Sequence, residues 1–384
     1  MKIAISTIGT FHAFDLAREL HGAGLLARIF SGYPRFKLQR EALPPELIDT
    51  FPWVHAPYMA FPFKHKLGLS GVRAWERLDL QTLDAHVATR LGGMDVLVGM
   101  SGSGLKSGRV IKARGGRYVC DRGSTHIRVQ DQLVRDEERR WGAPQTGVDP
   151  WVMDREEAEY AEADCITVPS SFNVRSFIEQ GVPAHKLRQL PYGVNLSKFY
   201  PTQSPESGRF DVLFAGGMSL RKGIPYLLQA YKALRHPRKS LTMVGAPLPS
   251  LMDLMRQHGL WSEDIRVLGH VDQSELKQVM SRSHVLLLPS IEEGLALVQA
   301  QAMACGCPVI ATENTGSEDL FEHGVHGFIT PVRRVDLMTE HLQCLADDET
   351  LRQQMSCQAL ARVKQAGGFR DYGLKAQAIY KELL

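Results

Sequence analysis

The stretch that most constrains this chain is 284–312, HVLLLPSIEEGLALVQAQAMACGCPVIAT. Its apolar run 285–288 reads as a buried strand. The strand enters a short turn, Pro289-Ser290-Ile291-Glu292-Glu293-Gly294. A helix is expected from about 296 to 304, stopped by Gly306, with a second buried strand over 309–311. Strand, glycine turn, helix and strand make one unit of a parallel sheet with a right-handed crossover. Ligands of such sheets lie beyond the carboxyl ends of the strands. There the first amides of a helix lack partners inside the helix, and the aligned dipoles favour an anion. Glu293 stands at the mouth of that site and repels a bare anion. A polar ligand with both hydroxyls and phosphates suits the two features better.

A length of 384 residues exceeds one ordinary core and implies two domains. The composition, 44% hydrophobic and 23% charged, is that of a soluble globular protein. No apolar run approaches the length needed to cross a bilayer, and residues 1–6 read as a first strand, not a signal peptide. A net charge of +3 is too mild to argue for nucleic acid. The six cysteines form no Cys-x-x-Cys pair and no cluster with histidine. We therefore expect reduced thiols, no structural metal and a cytoplasmic location, with Cys305 and Cys307 serving packing.

In the first half, a strand over 3–6 leads into Ile8-Gly9-Thr10-Phe11-His12, a helix over 13–22 and a strand over 27–30. The turn lacks GxGxxG, so a nicotinamide fingerprint is not supported. Gly9 lets a phosphate approach, and an ordinary turn explains it equally well. Residues 31–77 are aromatic and basic, and Pro34, Pro44, Pro45, Pro52, Pro57 and Pro62 argue against a long helix through most of them. They could meet a membrane surface, line an acceptor groove or pack as a lid. After a strand over 95–100, a helix carries Lys106, Arg109 and Lys112 on one face. From Gly102 to Arg128 there are seven Lys/Arg against one acid. That is a solvated face or a positive wall for an anionic acceptor or lipid head group. A strand over 117–120 ends in Asp121-Arg122-Gly123-Ser124-Thr125-His126, again at a strand's carboxyl end. His126 is titratable near neutrality. Glu156, Glu157, Glu159 and Glu162 are expected on a solvent face.

Residues 202–208 are a polar linker by composition. The β-α rhythm then restarts. A strand over 210–214 is followed by Ala215-Gly216-Gly217-Met218-Ser219-Leu220-Arg221-Lys222-Gly223 and a helix. A basic pair at a helix start opposes the dipole. Its reason is better sought in a diphosphate. Further strands are expected over 241–245, 265–268 and 328–330. The acids of Thr315-Gly316-Ser317-Glu318-Asp319 are read as helix capping.

The run Glu293-Gly294-Leu295-Ala296-Leu297-Val298, then Gln301-Ala302-Met303-Ala304-Cys305-Gly306 and Pro308-Val309, resembles the signature of retaining GT-B glycosyltransferases of family 4 (glycosyl transferases group 1). That family carries E-x7-E here. Glu293 matches the first Glu, and Gln301 occupies the second. The resemblance implies an α/β GT-B fold of two Rossmann-like domains with a cleft between them. Residues 1–201 would bind the acceptor and 206–370 the nucleotide sugar, while 371–384 form a helix returning to the first domain. It implies that Glu293 binds donor-sugar hydroxyls, that His126 reaches the transferred sugar, and that the loop of Gly9 and Thr10 faces donor phosphate and acceptor. It also implies that Gly269-His270-Val271 meets the nucleobase and that Gln301 stands at the ribose hydroxyls, where it accepts without charge assistance. The family reads Gly-Arg-x-x-x-x-Lys-Gly after the first strand of the second domain. Lys222 and Gly223 match, Gly217 replaces the Arg, and Arg221 can supply the missing charge. The same resemblance implies retention by same-face attack, the leaving phosphate helping to deprotonate the acceptor.

The expected chemistry is therefore transfer of a hexosyl group from a nucleoside-diphosphate sugar, UDP- or GDP-linked, to a glycan, lipid-linked glycan or small-molecule acceptor. Negative charge develops on the leaving diphosphate. Fixed amides (Gly294, Leu295, Ala296, Leu297) and the cations Arg221 and Lys222 can stabilise it without metal or cofactor. No Asp-x-Asp follows a strand. Thr10, Arg122, Lys106 and Arg109 are the acceptor-side candidates, with peripheral contact at the inner membrane face and no nucleic-acid partner. The competing readings are a GT-B sugar-nucleotide 2-epimerase and a non-catalytic sugar-nucleotide-binding module.

Overall fold

The structure is a computed structural model that describes residues 1–384, with the side chain of His65 outside the description. Strands β1 (Ile3–Thr7), β2 (Leu26–Ser31), β3 (Ile48–Thr50), β4 (Val96–Met100), β5 (Arg117–Asp121), β6 (Cys165–Val168) and β7 (Leu187–Gln189) form one sheet, in the order β3-β2-β1-β4-β5-β6-β7. Strands β8 (Phe210–Ala215), β9 (Lys239–Val244), β10 (Ile265–Gly269), β11 (Val285–Leu288), β12 (Val309–Thr312) and β13 (Gly327–Thr330) form a second, in the order β10-β9-β8-β11-β12-β13. Neighbours in both sheets run parallel. Parallel sheets are covered by helices on both faces, which is why β1, β6, β11 and β12 are buried at every residue. The order of strands reverses between β1 and β4 in the first sheet and between β8 and β11 in the second. Loops part at such a point and leave a crevice.

Side-chain alternation splits the first core into two. Ile3 and Ile5 face one cluster, and Ala4 faces the other. Tyr372, Ala376 and Tyr380, spaced by four on the Phe369–Glu382 helix, join the first of these beside Phe14, Leu16 and Leu20. The last helix therefore returns to the first sheet, as the GT-B resemblance implies. Cys305 and Cys307 are buried in the core of the second sheet, where thiols act as small apolar groups. Among the described residues no helix is long and apolar enough to cross a membrane.

Two expectations are corrected, and two strands had not been expected. Residues 31–77 hold more helix than their prolines suggested. Pro52 occupies the first turn of the Pro52–Ala60 helix, where no amide is needed, and a helix of 21 residues, Gly68–Ala88, starts beyond Pro62. The edge strands β3 and β7, three residues each, were too short to show a period. Finally, Glu156 and Glu159 are buried, not on a solvent face. Glu159 accepts from the amides of Gly102 (2.6 Å) and Gly104 (2.8 Å), and Glu156 pairs with Arg122. Only Glu157 and Glu162 of the four keep to the outside, bonded to Arg128 and Arg109.

Candidate functional site

At the switch point of the second sheet, the 216–223 loop after β8 touches the 289–294 turn after β11. The amide of Ile291 donates to the carbonyl of Arg221 at 2.8 Å. A Cβ on Gly223 would lie 1.9 Å from the Pro289 carbonyl oxygen, so the approach requires glycine. This backbone contact brings the side chains together. Lys222 Nζ pairs with Glu293 Oε1, while Arg221 Nη1 lies 3.1 Å from Glu292 Oε2 and 3.8 Å from Glu293 Oε2. Ser290 Oγ donates to Glu293 Oε1 at 3.1 Å. Burial works against the Arg221 charge, but Glu293 and Glu292 outweigh it and raise its pKa.

The helix after this turn spans Leu297–Ala304. Among the described residues, the amides of Gly294, Leu295 and Leu297 make no hydrogen bond. They remain open to an anion. The Ala296 amide does not, because it donates to the Thr315 carbonyl at 3.2 Å, which corrects its place in the expected set. One turn on, Gln301 lines a cavity of about 110 Å³ with Leu297, Gln273, Asn195 and Lys198. That is less than the roughly 300–1,000 Å³ of a small-molecule site. Val271 packs half-buried on the second core, two residues before Gln273. Gly217 is exposed, with nothing within 4 Å of an added Cβ, so its place has room for a longer side chain.

The first lobe closes over this site. Glu292, fully buried, accepts from Ser124 Oγ, from the Thr125 amide at 3.1 Å and hydroxyl at 2.9 Å, and from Gln130 Nε2 at 3.3 Å. Burial would raise its pKa, but Arg221 and these donors, with Arg122 nearby, hold it below the usual carboxylate range. A Cβ on Gly294 would lie 2.1 Å from the Gly123 carbonyl oxygen, so the lobes touch backbone to backbone here. Asn173 Nδ2 donates to the Glu293 carbonyl at 3.1 Å, and Asp319 accepts from the Ser171 amide at 2.7 Å and from Gln189 at 2.8 Å. Asp319, expected to cap its own helix, thus reaches across to the other lobe. Glu137 is held likewise, by Tyr226 at 2.7 Å and Arg333 at 2.5 Å.

Two first-lobe candidates are buried among partners of their own lobe. His126 caps the Ile127–Arg140 helix, its Nδ1 accepting from the Arg128 amide at 3.3 Å. Its ring lies 5.1 Å from both Tyr160 and Phe177 and is 3% exposed. Burial pushes its pKa down to about 4, so it is neutral at pH 7 and packs as an aromatic. Arg122 is buried as well. It pairs with Glu156 at 3.0 Å and donates to Gln130 at 2.6 Å and to the Thr125 carbonyl at 3.0 Å, so it supports the loop from beneath. On the Leu105–Ala113 helix, Arg109 pairs with Glu162 at 2.8 Å and Lys112 with Asp164 at 3.3 Å, leaving Lys106 exposed. This basic stripe is a solvated, paired face rather than a positive wall. Gly9 accepts from Thr7 Oγ1 at 3.2 Å, and Thr10 lines a separate hollow of about 430 Å³ with Tyr33, Phe36, Lys37 and Arg40.

Sequence reasoning passed over Glu292 and the His12–Asp121 pair. His12 Nε2 lies 2.6 Å from Asp121 Oδ2, Thr167 Oγ1 donates to Asp121 Oδ1 at 2.8 Å, and the His12 ring stacks on Tyr192 at 4.3 Å. The available signal was position: His12 follows Gly9 and Thr10 in the loop after β1, at the switch point of its sheet.

Comparison with known proteins agrees with this fold. A family model described as glycosyl transferases group 1 matches residues 198–362. Alpha-D-kanosaminyltransferase of Streptomyces kanamyceticus is 26% identical over 176 residues, 45% of each chain. D-inositol 3-phosphate glycosyltransferase of Pseudarthrobacter chlorophenolicus is 26% identical over 205 residues, 50% of this chain and 49% of the other. The chain spans about half the length of these curated relatives. Among solved structures, sucrose-phosphate synthase of Thermosynechococcus elongatus superposes with a TM-score of 0.71 at 20% identity, covering 100% of this chain and 99% of that one. Anabaena HepE, in complex with UDP and glucose, superposes with a TM-score of 0.72 at 16% identity, covering 100% of both chains. The strand orders and these superpositions define a GT-B fold, and residues 198–362 within it match the glycosyl transferases group 1 family.

Proposed function

We propose that this chain is a retaining, metal-independent glycosyltransferase that moves a sugar from a nucleoside-diphosphate sugar to an acceptor hydroxyl. The observation that carries the reading is the meeting of the Arg221-Lys222 loop with the amides of Gly294, Leu295 and Leu297 around Glu293. A departing diphosphate gains charge in the transition state, and preorganised cations and amides are worth most at that moment. Lys222 is neutralised by Glu293. An arriving diphosphate takes Lys222 as its partner, and Glu293 is then released to the sugar hydroxyls. The bond from the anomeric carbon to phosphate oxygen breaks, its electron pair leaving on the diphosphate. The acceptor oxygen bonds to the same face of the sugar, and its proton passes to the departing phosphate oxygen. Gln301, one turn along the helix, accepts from a ribose hydroxyl. UDP is the base to try first, because HepE was solved with UDP-glucose as well.

Thermal unfolding with UDP, GDP and ADP, followed by turnover of the matching sugar nucleotide with and without a chelator, tests this. One nucleoside diphosphate is expected to stabilise the protein, by about 2.7 kcal/mol at 100 times its dissociation constant. Turnover is expected to survive chelation. Indifference to all three nucleotides, or activity abolished by chelation and restored by magnesium, overturns the proposal.

A further inference from the structure

We infer that the lobe formed by residues 51–75 is a docking surface for an anionic lipid bilayer. Those 25 residues contain six aromatic side chains (Phe51, Trp53, Tyr58, Phe61, Phe63, Trp75), three Lys/Arg (Lys64, Lys66, Arg73) and no Asp or Glu. The chain as a whole is 8% aromatic and nearly balanced in charge, so this stretch is set apart on both counts.

The structure gathers these residues into one knuckle. The Pro52–Ala60 helix and the single turn Lys64–Leu67 stand at the start of the Gly68–Ala88 helix. Rings link across it: Tyr58 to Trp75 at 5.7 Å, Trp75 to Phe61 at 5.7 Å, and Phe61 to Phe63 at 6.1 Å. Its base is fixed, with His55 Nδ1 2.7 Å from Asp79 Oδ2 and Trp75 Nε1 donating to the Val54 carbonyl at 3.2 Å. Its tip is bare. Trp53 is 75% exposed, and Met59, Phe63, Leu67 and Leu69 are exposed by 36–49%. These are five of the fourteen large apolar side chains found exposed among the described residues, within seventeen positions of sequence. Exposed apolar groups scattered singly need no explanation, but a cluster does.

Charge decides the occupant. Lys64 lies over the Tyr58 ring at 4.2 Å and Lys66 over the Phe63 ring at 4.7 Å, and neither has a carboxylate partner among the described residues. A second copy of this chain, meeting the knuckle about a twofold axis, would set lysine against lysine, since the adjoining acids Glu76 and Asp79 are already bonded to Tyr58 and His55. A bilayer rich in anionic head groups satisfies both halves of the surface. The lysines stay at head-group level, while Trp53, Met59 and the leucines enter the acyl boundary. Among the described residues none of the lobe's hydrogen bonds or ion pairs reaches the Glu293 turn, so the inference stands or falls apart from the transferase reading.

The test is co-sedimentation of the full chain with vesicles of phosphatidylcholine alone and of phosphatidylcholine with phosphatidylglycerol. Binding is expected only to the anionic vesicles and to weaken with salt. The double variant Lys64→Glu/Lys66→Glu is expected to lose roughly tenfold or more in affinity. Trp53→Ser/Leu69→Ser is expected to lose binding while leaving the salt dependence of the remainder unchanged. All four side chains are at the surface, and an unchanged melting temperature and unchanged nucleoside-diphosphate binding would show that the fold persists. Absence of sedimentation at low salt, equal binding to neutral vesicles, or variants that bind like the wild type would overturn the proposal. So would concentration-dependent dimerisation abolished by the same variants without vesicle binding, which would assign the knuckle to a second copy.

Discussion

The loops at 121–126 and 289–294 look alike in sequence. Each follows a buried parallel strand, each contains a glycine, and each carries charge. The folded chain uses them in opposite ways. In the first, Arg122 and His126 turn inward, because their own lobe supplies a buried counter-charge in Glu156 and an aromatic pocket in Tyr160 and Phe177. In the second, Glu293 takes its counter-charges from the 216–223 loop, Lys222 and Arg221, and those partners are what an incoming diphosphate would claim. Glu292 then joins the two loops. A charged residue at a strand end is thus a site candidate where its partners, like Arg221 with a side chain 33% exposed, can be reached by a ligand, and not where they are buried like Glu156.

Glu292→Ala is the largest blow to this contrast. It strips Arg221, Ser124 and Thr125 of a buried acceptor and should cost about 3–5 kcal/mol in chemical denaturation, with Glu292→Gln in between. An alanine variant as stable as the wild type would remove the bridge from the account. Next is Glu293→Ala. Turnover should fall on the order of 100-fold, about 2–4 kcal/mol, while nucleoside diphosphate binds nearly as before, since Lys222 loses a competitor along with its partner. A normal rate would show that the 289–294 loop is structural after all. Lys222→Ala should weaken diphosphate binding by roughly tenfold to a hundredfold, the worth of one charge-assisted hydrogen bond. Calorimetry that finds the affinity unchanged would move the phosphate elsewhere.

The smallest effect sharpens the other side of the comparison. His126 titrates near 4 when folded against an ordinary 6.5, so the unfolded chain takes up its proton first as pH falls. The stability this gives is present above pH 6.5 and is lost as pH falls toward 4. Denaturation midpoints across that window should flatten in His126→Phe, by on the order of 1 kcal/mol after solvent screening. Part of the slope will remain, because burial lowers His284 to about 4 as well. An unaltered slope would place the His126 ring in water, as a cleft residue requires.

Much of the second half could be read from the residues themselves. Apolar runs at 285–288 and 309–311, the glycines at 294 and 306, and the Lys222-Gly223 pair gave the strands, the crossover and the cationic turn, all close to where they stand. The first half was less legible. Prolines suggested irregular chain where Pro52 begins a helix, and the glutamates of the Pro150–Glu162 helix looked solvated because nothing near them in sequence announces Arg122 or the amides of Gly102 and Gly104.

By itself the sequence determined what depends on period and local chemistry: two parallel α/β halves, the helix that starts beside Glu293, and the basic pair that would meet a phosphate. Only the tertiary structure decided which charges remain for a ligand. Thr125 and Glu292 are 167 residues apart in sequence and 2.9 Å apart in space, and His12 and Asp121 are 109 apart and 2.6 Å. Periodicity carries no information about partners at such separations. Strand order brings them together, and burial then makes their pairing obligatory.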